Sequence, residues 1–225
     1  MCRFLIIHSK NEFNPKNYIK DFIKKTKMSL TPDGDLQKDG WGIFYLNYKK
    51  NIFEIFKSLN PIWEDEIEYK KLEKINFLSI HVRSSSLPFI KNKIEHNQPY
   101  YKDNLLFLFN GFLRRVRIQI EGEIGAQKLF NLFLKFYKNF VDDFNVFKEF
   151  IYYLKKNTEE IIGLNLAIVN ISKRKIFLNS TFNKYEDYFT LKIFKNKNLL
   201  IVSSVELDNI EFEKIKNNSL IEIDF

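Results

Sequence analysis

One cysteine, Cys2, in 225 residues excludes an intramolecular disulfide framework. No Cys, His and carboxylate cluster stands at metal-ligand spacing, so no metal and no other cofactor is expected. Nor does any run approach the roughly 18 apolar residues that a membrane helix needs. The start lacks a basic region leading into a long apolar stretch and a small-residue cleavage site, and the chain reads as cytoplasmic and away from membranes. Glycine and proline are scarce, at 7 and 5. No linker rich in them, no low-complexity tract and no internal repeat divides the chain, so 1–225 reads as a single domain. Acidic residues are outnumbered, 28 against 36 basic ones, for a net charge of +8. That excess invites nucleic acid through phosphate attraction. The lysines, however, are scattered singly or in pairs, as at Lys24-Lys25, Lys70-Lys71 and Lys155-Lys156, and the tightest basic cluster is only Arg114, Arg115 and Arg117. This is the pattern of a solvated surface and argues against a nucleic-acid partner.

What is abundant is apolar: 45% of the residues, with 24 phenylalanines, enough to fill a sizeable core. Arg3 to His8 reads as a buried strand, and Asn14-Pro15 opens a helix with Ile19, Phe22 and Ile23 at helical spacing. Thr31 to Asp35 is turn chemistry. Strands are expected over Trp41–Leu46 and Ile52–Phe56, joined as a hairpin through Asn47–Asn51, then over Phe77–Val82 and Leu105–Phe109. The last two end in polar residues, Arg83 with three serines and Asn110 with Gly111, where a loop would hold functional groups. Leu129 to Tyr137 and Phe144 to Leu154 repeat at helical intervals. Short strands return over Leu164–Ile171, Lys175–Leu178, Tyr188–Phe194, Leu199–Ser203 and Ser219–Ile223. Strands, paired helices and strands again make an α+β protein of mainly antiparallel sheets covered by helices.

Cys2 is the residue exposed as the N-terminus once Met1 is trimmed, which its small side chain permits. It then carries a thiol and an α-amine with reference pKa values of about 8.5 and about 7.7–8.0, a nucleophile and a base on one residue. The alternative is a small apolar residue in a first strand. Asn110-Gly111 offers a side-chain amide and a backbone N–H to an oxyanion, or else a type I′ hairpin turn. Arg83 offers a planar pair of donors to a carboxylate, or else reaches solvent. His81 reads as a hydrogen-bonded core residue rather than a base.

Taken in order, Met1-Cys2-Arg3-Phe4-Leu5, Asp39-Gly40-Trp41-Gly42, His81-Val82-Arg83, His96-Asn97-Gln98-Pro99-Tyr100 and Asn110-Gly111 resemble the class II glutamine amidotransferase domain. This is the cysteine branch of the N-terminal nucleophile hydrolases, and the start is most similar to small stand-alone members, including γ-glutamyl amidases. Asp187 to Leu191 and Leu199 to Asp224 look like the family's last strands. The resemblance implies a four-layer αββα sandwich and an amidohydrolase that cleaves glutamine or a γ-glutamyl-type amide through a Cys2 thioester. It further implies Asn110 and Gly111 as the oxyanion donors, Arg83 on the substrate carboxylate, Ser86 as a substrate hydroxyl contact, and Trp41 as core and pocket wall. The partner implied is a small-molecule amide, with a separate synthase subunit as a possible second one.

Two departures bear on substrate. The place of the family's ammonium-binding aspartate falls on Gly125, with Glu123 two residues earlier, and Phe109 replaces a histidine common before the Asn-Gly. An α-ammonium without a counter-charge would pay desolvation it cannot recover. A substrate other than free glutamine is one consequence. The alternatives are a catalytically impaired member serving as a binding or regulatory module, or the glutaminase subunit of a separate synthase.

Overall fold

The computed structural model describes residues 1–47, 52–66, 69, 72–85, 91–138 and 142–225. They fall into two compact units. The first holds Met1–Pro99, Thr190–Ile215 and Phe225, and the second Tyr100–Phe189 and Lys216–Asp224.

The first unit is built on a seven-stranded antiparallel sheet. β1 (Arg3–Phe13) is followed by α1 (Lys16–Met28), β2 (Trp41–Asn47), β3 (Ile52–Ser58) and β4 (Ile75–Val82); β9 (Lys192–Lys195), β10 (Leu199–Ser203) and β11 (Glu213–Lys214) complete the sheet. The order is β11-β9-β10-β1-β4-β2-β3. β1 and β4 lie inside the sheet; Phe4 to Ile7 is an unbroken apolar run, and Ile75 to Val82 is buried throughout although it includes Asn76, Ser79 and His81. Successive side chains still point to opposite faces. Leu5, Ile7, Trp41, Ile43, Leu78, Ile80, Val82 and Ile201 join Ile19, Phe22 and Ile23 of α1 in one apolar core. Phe4, Phe44, Phe77 and His81 occupy the opposite face, and all four are fully buried. α1 forms because Ile19, Phe22, Ile23 and Thr26 recur on one stripe. Asn14 Oδ1 accepts from the Lys16 N–H at its start, and Lys25 and Lys27 stand favourably in its last turn.

The second unit carries a five-stranded antiparallel sheet, ordered β12-β8-β7-β6-β5. Its strands are β5 (Tyr100–Lys102), β6 (Leu105–Val116), β7 (Thr158–Asn170), β8 (Lys175–Ser180) and β12 (Ser219–Asp224); its helices are α2 (Gly125–Tyr137), α3 (Asp143–Lys156) and the single turn α4 (Glu186–Phe189). Leu105, Phe107, Phe109, Leu164, Leu166 and Ile168 face Leu129, Phe130 and Phe133 of α2 and Phe147, Phe150 and Ile151 of α3. α3 is capped by Asp142, whose carboxylate accepts from the Phe144 and Asn145 N–H groups at 2.9 and 3.2 Å.

Two expectations are corrected here. β6 does not end at Asn110-Gly111: Asn110 pairs with Asn165 and Gly111 with Leu164 in an unbroken stretch of ladder. The glycine is there for close approach, since a Cβ would fall on the Gly163 carbonyl oxygen and the Phe109 ring. A hairpin turn at this dipeptide is thereby excluded. The strand expected over Tyr188–Phe194 begins only at Lys192, because Tyr188 and Phe189 close a helical turn on the Tyr185 carbonyl, both N–H groups at 3.0 Å. There the Phe189 ring covers Gly163, where any side chain would collide with it. The hairpin connection through 48–51 lies outside the described residues. Among the described residues, no helix is long and apolar enough to cross a membrane.

Candidate active site

Cys2 is the partly buried residue that leads into β1. The register Arg3↔Val82 and Phe4↔His81 brings this entry alongside the end of β4. There the Cys2 sulfur lies 3.9 Å from the Ser84 carbonyl oxygen and is preceded by an α-ammonium that donates to that same carbonyl at 3.2 Å. Burial alone pushes the thiol up, as desolvation penalises the charged form. The neighbouring His81, the α-ammonium and the Ser84 backbone outweigh it, and the thiol is pulled down to about 6. At neutral pH Cys2 is therefore mostly thiolate, the reactive form.

Arg83 follows His81 by two residues and is 4% exposed. The ladder continues past β4 to reach it: its N–H donates to the Gly40 carbonyl at 2.9 Å, and the Asp39 N–H donates to its own carbonyl at 3.0 Å. Its Nη1 donates to the Asp39 and Lys91 carbonyl oxygens and to Asn97 Oδ1 at 3.3–3.4 Å. These three acceptors are neutral, so they aim the guanidinium without cancelling its charge. Asn97, fully buried, also donates from Nδ2 to the Ser58 carbonyl at 2.7 Å. Asp39 accepts from the Ser85 N–H at 2.6 Å and pairs with Lys91 at 3.2 Å, fixing the backbone just after Arg83. The two glycines beside it are spaces kept clear. Gly40 has φ +101°, and a Cβ there would meet Asn97 and the Ser58 carbonyl; one on Gly42 would meet the Gln98 carbonyl.

Trp41 does not share the His81 face. It stands opposite Val82, packs in the α1-side core 5.3 Å from the Phe56 ring, and donates from Nε1 to Asp65 at 2.9 Å. Ser86 lies outside the described residues.

In the second unit, Asn110 and Asn165 are cross-strand neighbours, both fully buried, on the face of the sheet turned away from α2 and α3. Asn165 donates from Nδ2 to the Phe189 carbonyl. Gly111 follows at the next register position. Gly125 is exposed at the start of α2 with open space where a side chain would stand, and the first turn of that helix holds no acidic residue. Glu123, exposed, donates its N–H to Gln127 Oε1 at 2.9 Å.

His81 is fully buried between Ile80 and Val82, as a core residue should be, and the β1–β4 register sets it near Cys2. Asn97 is the residue to which sequence reasoning gives no role; its adjacency to Gln98-Pro99, which closes the path behind Gly42, is the local signal.

No family model and no curated protein matches the sequence. Solved structures do match. The glutamine phosphoribosylpyrophosphate amidotransferase of B. subtilis, complexed with ADP and GMP, is similar over 99% of this chain at 13% identity and a TM-score of 0.67; the chain spans 47% of that enzyme's length. A glutamine aminotransferase class-II domain protein from Silicibacter pomeroyi is similar over 100% of this chain and 95% of its own, at 13% identity and a TM-score of 0.62. A Pseudomonas aeruginosa protein described as a predicted glutamine amidotransferase follows at 12% identity and a TM-score of 0.52, over 98% and 96% of the two chains. The chain thus has the layered, antiparallel α+β fold of the class II glutamine amidotransferase domain, an N-terminal nucleophile hydrolase-like fold.

Proposed function

We propose that the protein is a thiol-dependent amidohydrolase of the class II glutamine amidotransferase type, acting on a glutamine or γ-glutamyl-type amide. The observation that supports this reading is the placement of Cys2 alongside the end of β4, where the buried Arg83 guanidinium is held by neutral acceptors: one side chain suited to nucleophilic attack and one to a carboxylate on one short stretch of sheet. In this reading Cys2 Sγ attacks the amide carbonyl carbon. A tetrahedral oxyanion forms and collapses with loss of ammonia or an amine, and water then hydrolyses the resulting thioester. Arg83 takes the substrate carboxylate as a two-donor fork. The oxyanion role is proposed for the Asn110 amide and the Gly111 N–H, on the strength of a buried carboxamide and a side-chain-free strand position. Ser86 is proposed as a further substrate contact.

The substrate class follows from Gly125. With no carboxylate in the first turn of α2, the α-ammonium that glutamine and γ-glutamyl compounds share has no counter-charge there, which supports an amide whose α-ammonium is absent or masked over free glutamine. The same feature is what favours a second reading, a binding or regulatory module that has kept the fold. The alternative role within this reading is that of the glutaminase subunit of a separate synthase.

Hydrolysis of free glutamine and of a series of γ-glutamyl amides, measured for the native protein and for Cys2→Ala, tests this. The expected result is turnover of glutamine or a γ-glutamyl amide, faster for members whose α-amine is acylated, and abolished in Cys2→Ala. No turnover of any member by a folded native protein selects the binding module.

A further inference from the structure

The face of the second sheet turned away from α2 and α3 is built in rows that run across its strands. The row through Leu108, Ala167, Leu178 and Ile221 is wholly apolar. The next row is polar. Asn110 on β6 stands opposite Asn165 on β7, and Ser180 on β8 follows where the β7–β8 ladder continues through the Leu164 N–H to Thr181 carbonyl bond at 2.7 Å. All three are fully buried. Packing does not account for this row. Asn165 Nδ2 donates to the Phe189 carbonyl, which holds Oδ1 on the other side of the carboxamide; exchanging the two atoms would set oxygen against oxygen. That Oδ1 has no hydrogen-bond partner among the described residues, and neither has Ser180 Oγ. A buried oxygen left without a donor is a standing cost that a leucine of similar size would remove. An acceptor fixed by its own tether and left unmet suits a donor brought by a ligand.

The class of ligand follows from the neighbour. Directly opposed side chains of an antiparallel pair have Cβ atoms about 4.5–5.5 Å apart, so one amide group can meet both, its oxygen at a carboxamide N–H and its nitrogen at a carboxamide oxygen. We propose that Asn165 is a specificity-determining residue: its Oδ1 accepts an N–H of the scissile amide whose oxygen takes the Asn110 donor. An ester has no N–H to offer and leaves Oδ1 unmet, and a site built to bond an N–H rejects the analogue that lacks it. This rests on the reading of Asn110 as the oxyanion donor.

The probes are N-acetylglutamine and its oxygen counterpart, N-acetylglutamate γ-methyl ester. Calorimetry measures the binding of both to Cys2→Ala, with and without Asn165→Leu, and hydrolysis of both is followed for the native protein and for Asn165→Leu, folding being checked by circular dichroism. Cys2→Ala should bind the amide about 10- to 100-fold more tightly than the ester, and Asn165→Leu should remove that preference. In turnover, Asn165→Leu should lower kcat/KM for the amide by about the same factor and leave that for the ester within about threefold, whereas a merely structural residue would lower both alike. Equal affinity of Cys2→Ala for the two probes overturns the proposal with no change at Asn165, and so does an equal fall in the two kcat/KM values. If the amide preference is found and Asn165→Leu removes it while the native protein hydrolyses neither probe, Asn165 stands and the amidohydrolase reading falls. Hydrolysis of the amide with an amide-to-ester ratio unmoved by Asn165→Leu keeps that reading and removes Asn165.

Discussion

Asn97 holds Arg83: its Oδ1 accepts from the guanidinium Nη1 at 3.3 Å while its Nδ2 anchors to the Ser58 carbonyl at 2.7 Å. A motif residue with no evident chemistry thus decides where the site's cation points. Losing a hydrogen bond to a charged group costs about 1.5–3 kcal/mol. Asn97→Ala is expected to raise KM for a γ-glutamyl amide by about 10- to 100-fold with a smaller change in kcat, in steady-state kinetics. An unchanged KM in a folded variant would mean that Arg83 does not bind substrate.

Gly111 and Gly125 of the second unit should respond with opposite signs. Gly111→Ala drives a methyl into the Gly163 carbonyl and the Phe109 ring, a backbone collision with no easy relief. Overpacking of this kind costs about 1–3 kcal/mol or more, a Tm lower by about 3–10 °C for a chain of this size. Gly125→Ala meets open space at the start of α2 and should gain up to about 1 kcal/mol by limiting the unfolded chain. Thermal melts of both variants check the pair.

Asn110→Ala is expected to lower kcat by about 100- to 1,000-fold with KM little changed, the effect of losing one preorganised oxyanion donor. Equal kcat values for variant and native protein would remove Asn110 from the mechanism and leave it a structural partner of Asn165.

Burial lowers Lys57 to about 8, only partly offset by Glu95. Its amine should then acylate faster near neutral pH than the exposed lysines, as read by peptide mass after limited acetylation. The sign for stability also follows. The unfolded chain binds more protons between about 8 and 10.5, so this side chain makes stability rise with pH across that window. In Lys57→Met that slope should disappear from denaturant titrations at pH 8 and 10.

Much of this was legible in the chain itself. Predominantly apolar runs marked β1 and β4, and helical spacing marked α1, α2 and α3, because burial of one stripe or of both faces leaves a direct imprint on residue order. Asn110-Gly111 misled on structure, since the same dipeptide serves a turn through its φ freedom and a strand interior through its missing Cβ; only Gly163 and Phe109, distant in sequence, distinguish the two. Tyr188-Phe189 reads as strand from its aromatics, while packing against Gly163 makes it a helical turn. His81 beside Cys2 is a matter of register between strands more than 60 residues apart, and no local pattern records register.

The central claim is that Cys2 forms the acyl intermediate. Acid-quenching the protein during turnover of a γ-glutamyl amide, followed by intact and peptide mass measurement, tests it most directly. The account predicts one γ-glutamyl adduct on Cys2, released by hydroxylamine as a thioester should be. Turnover with no such adduct, or undiminished turnover in Cys2→Ala, would contradict it.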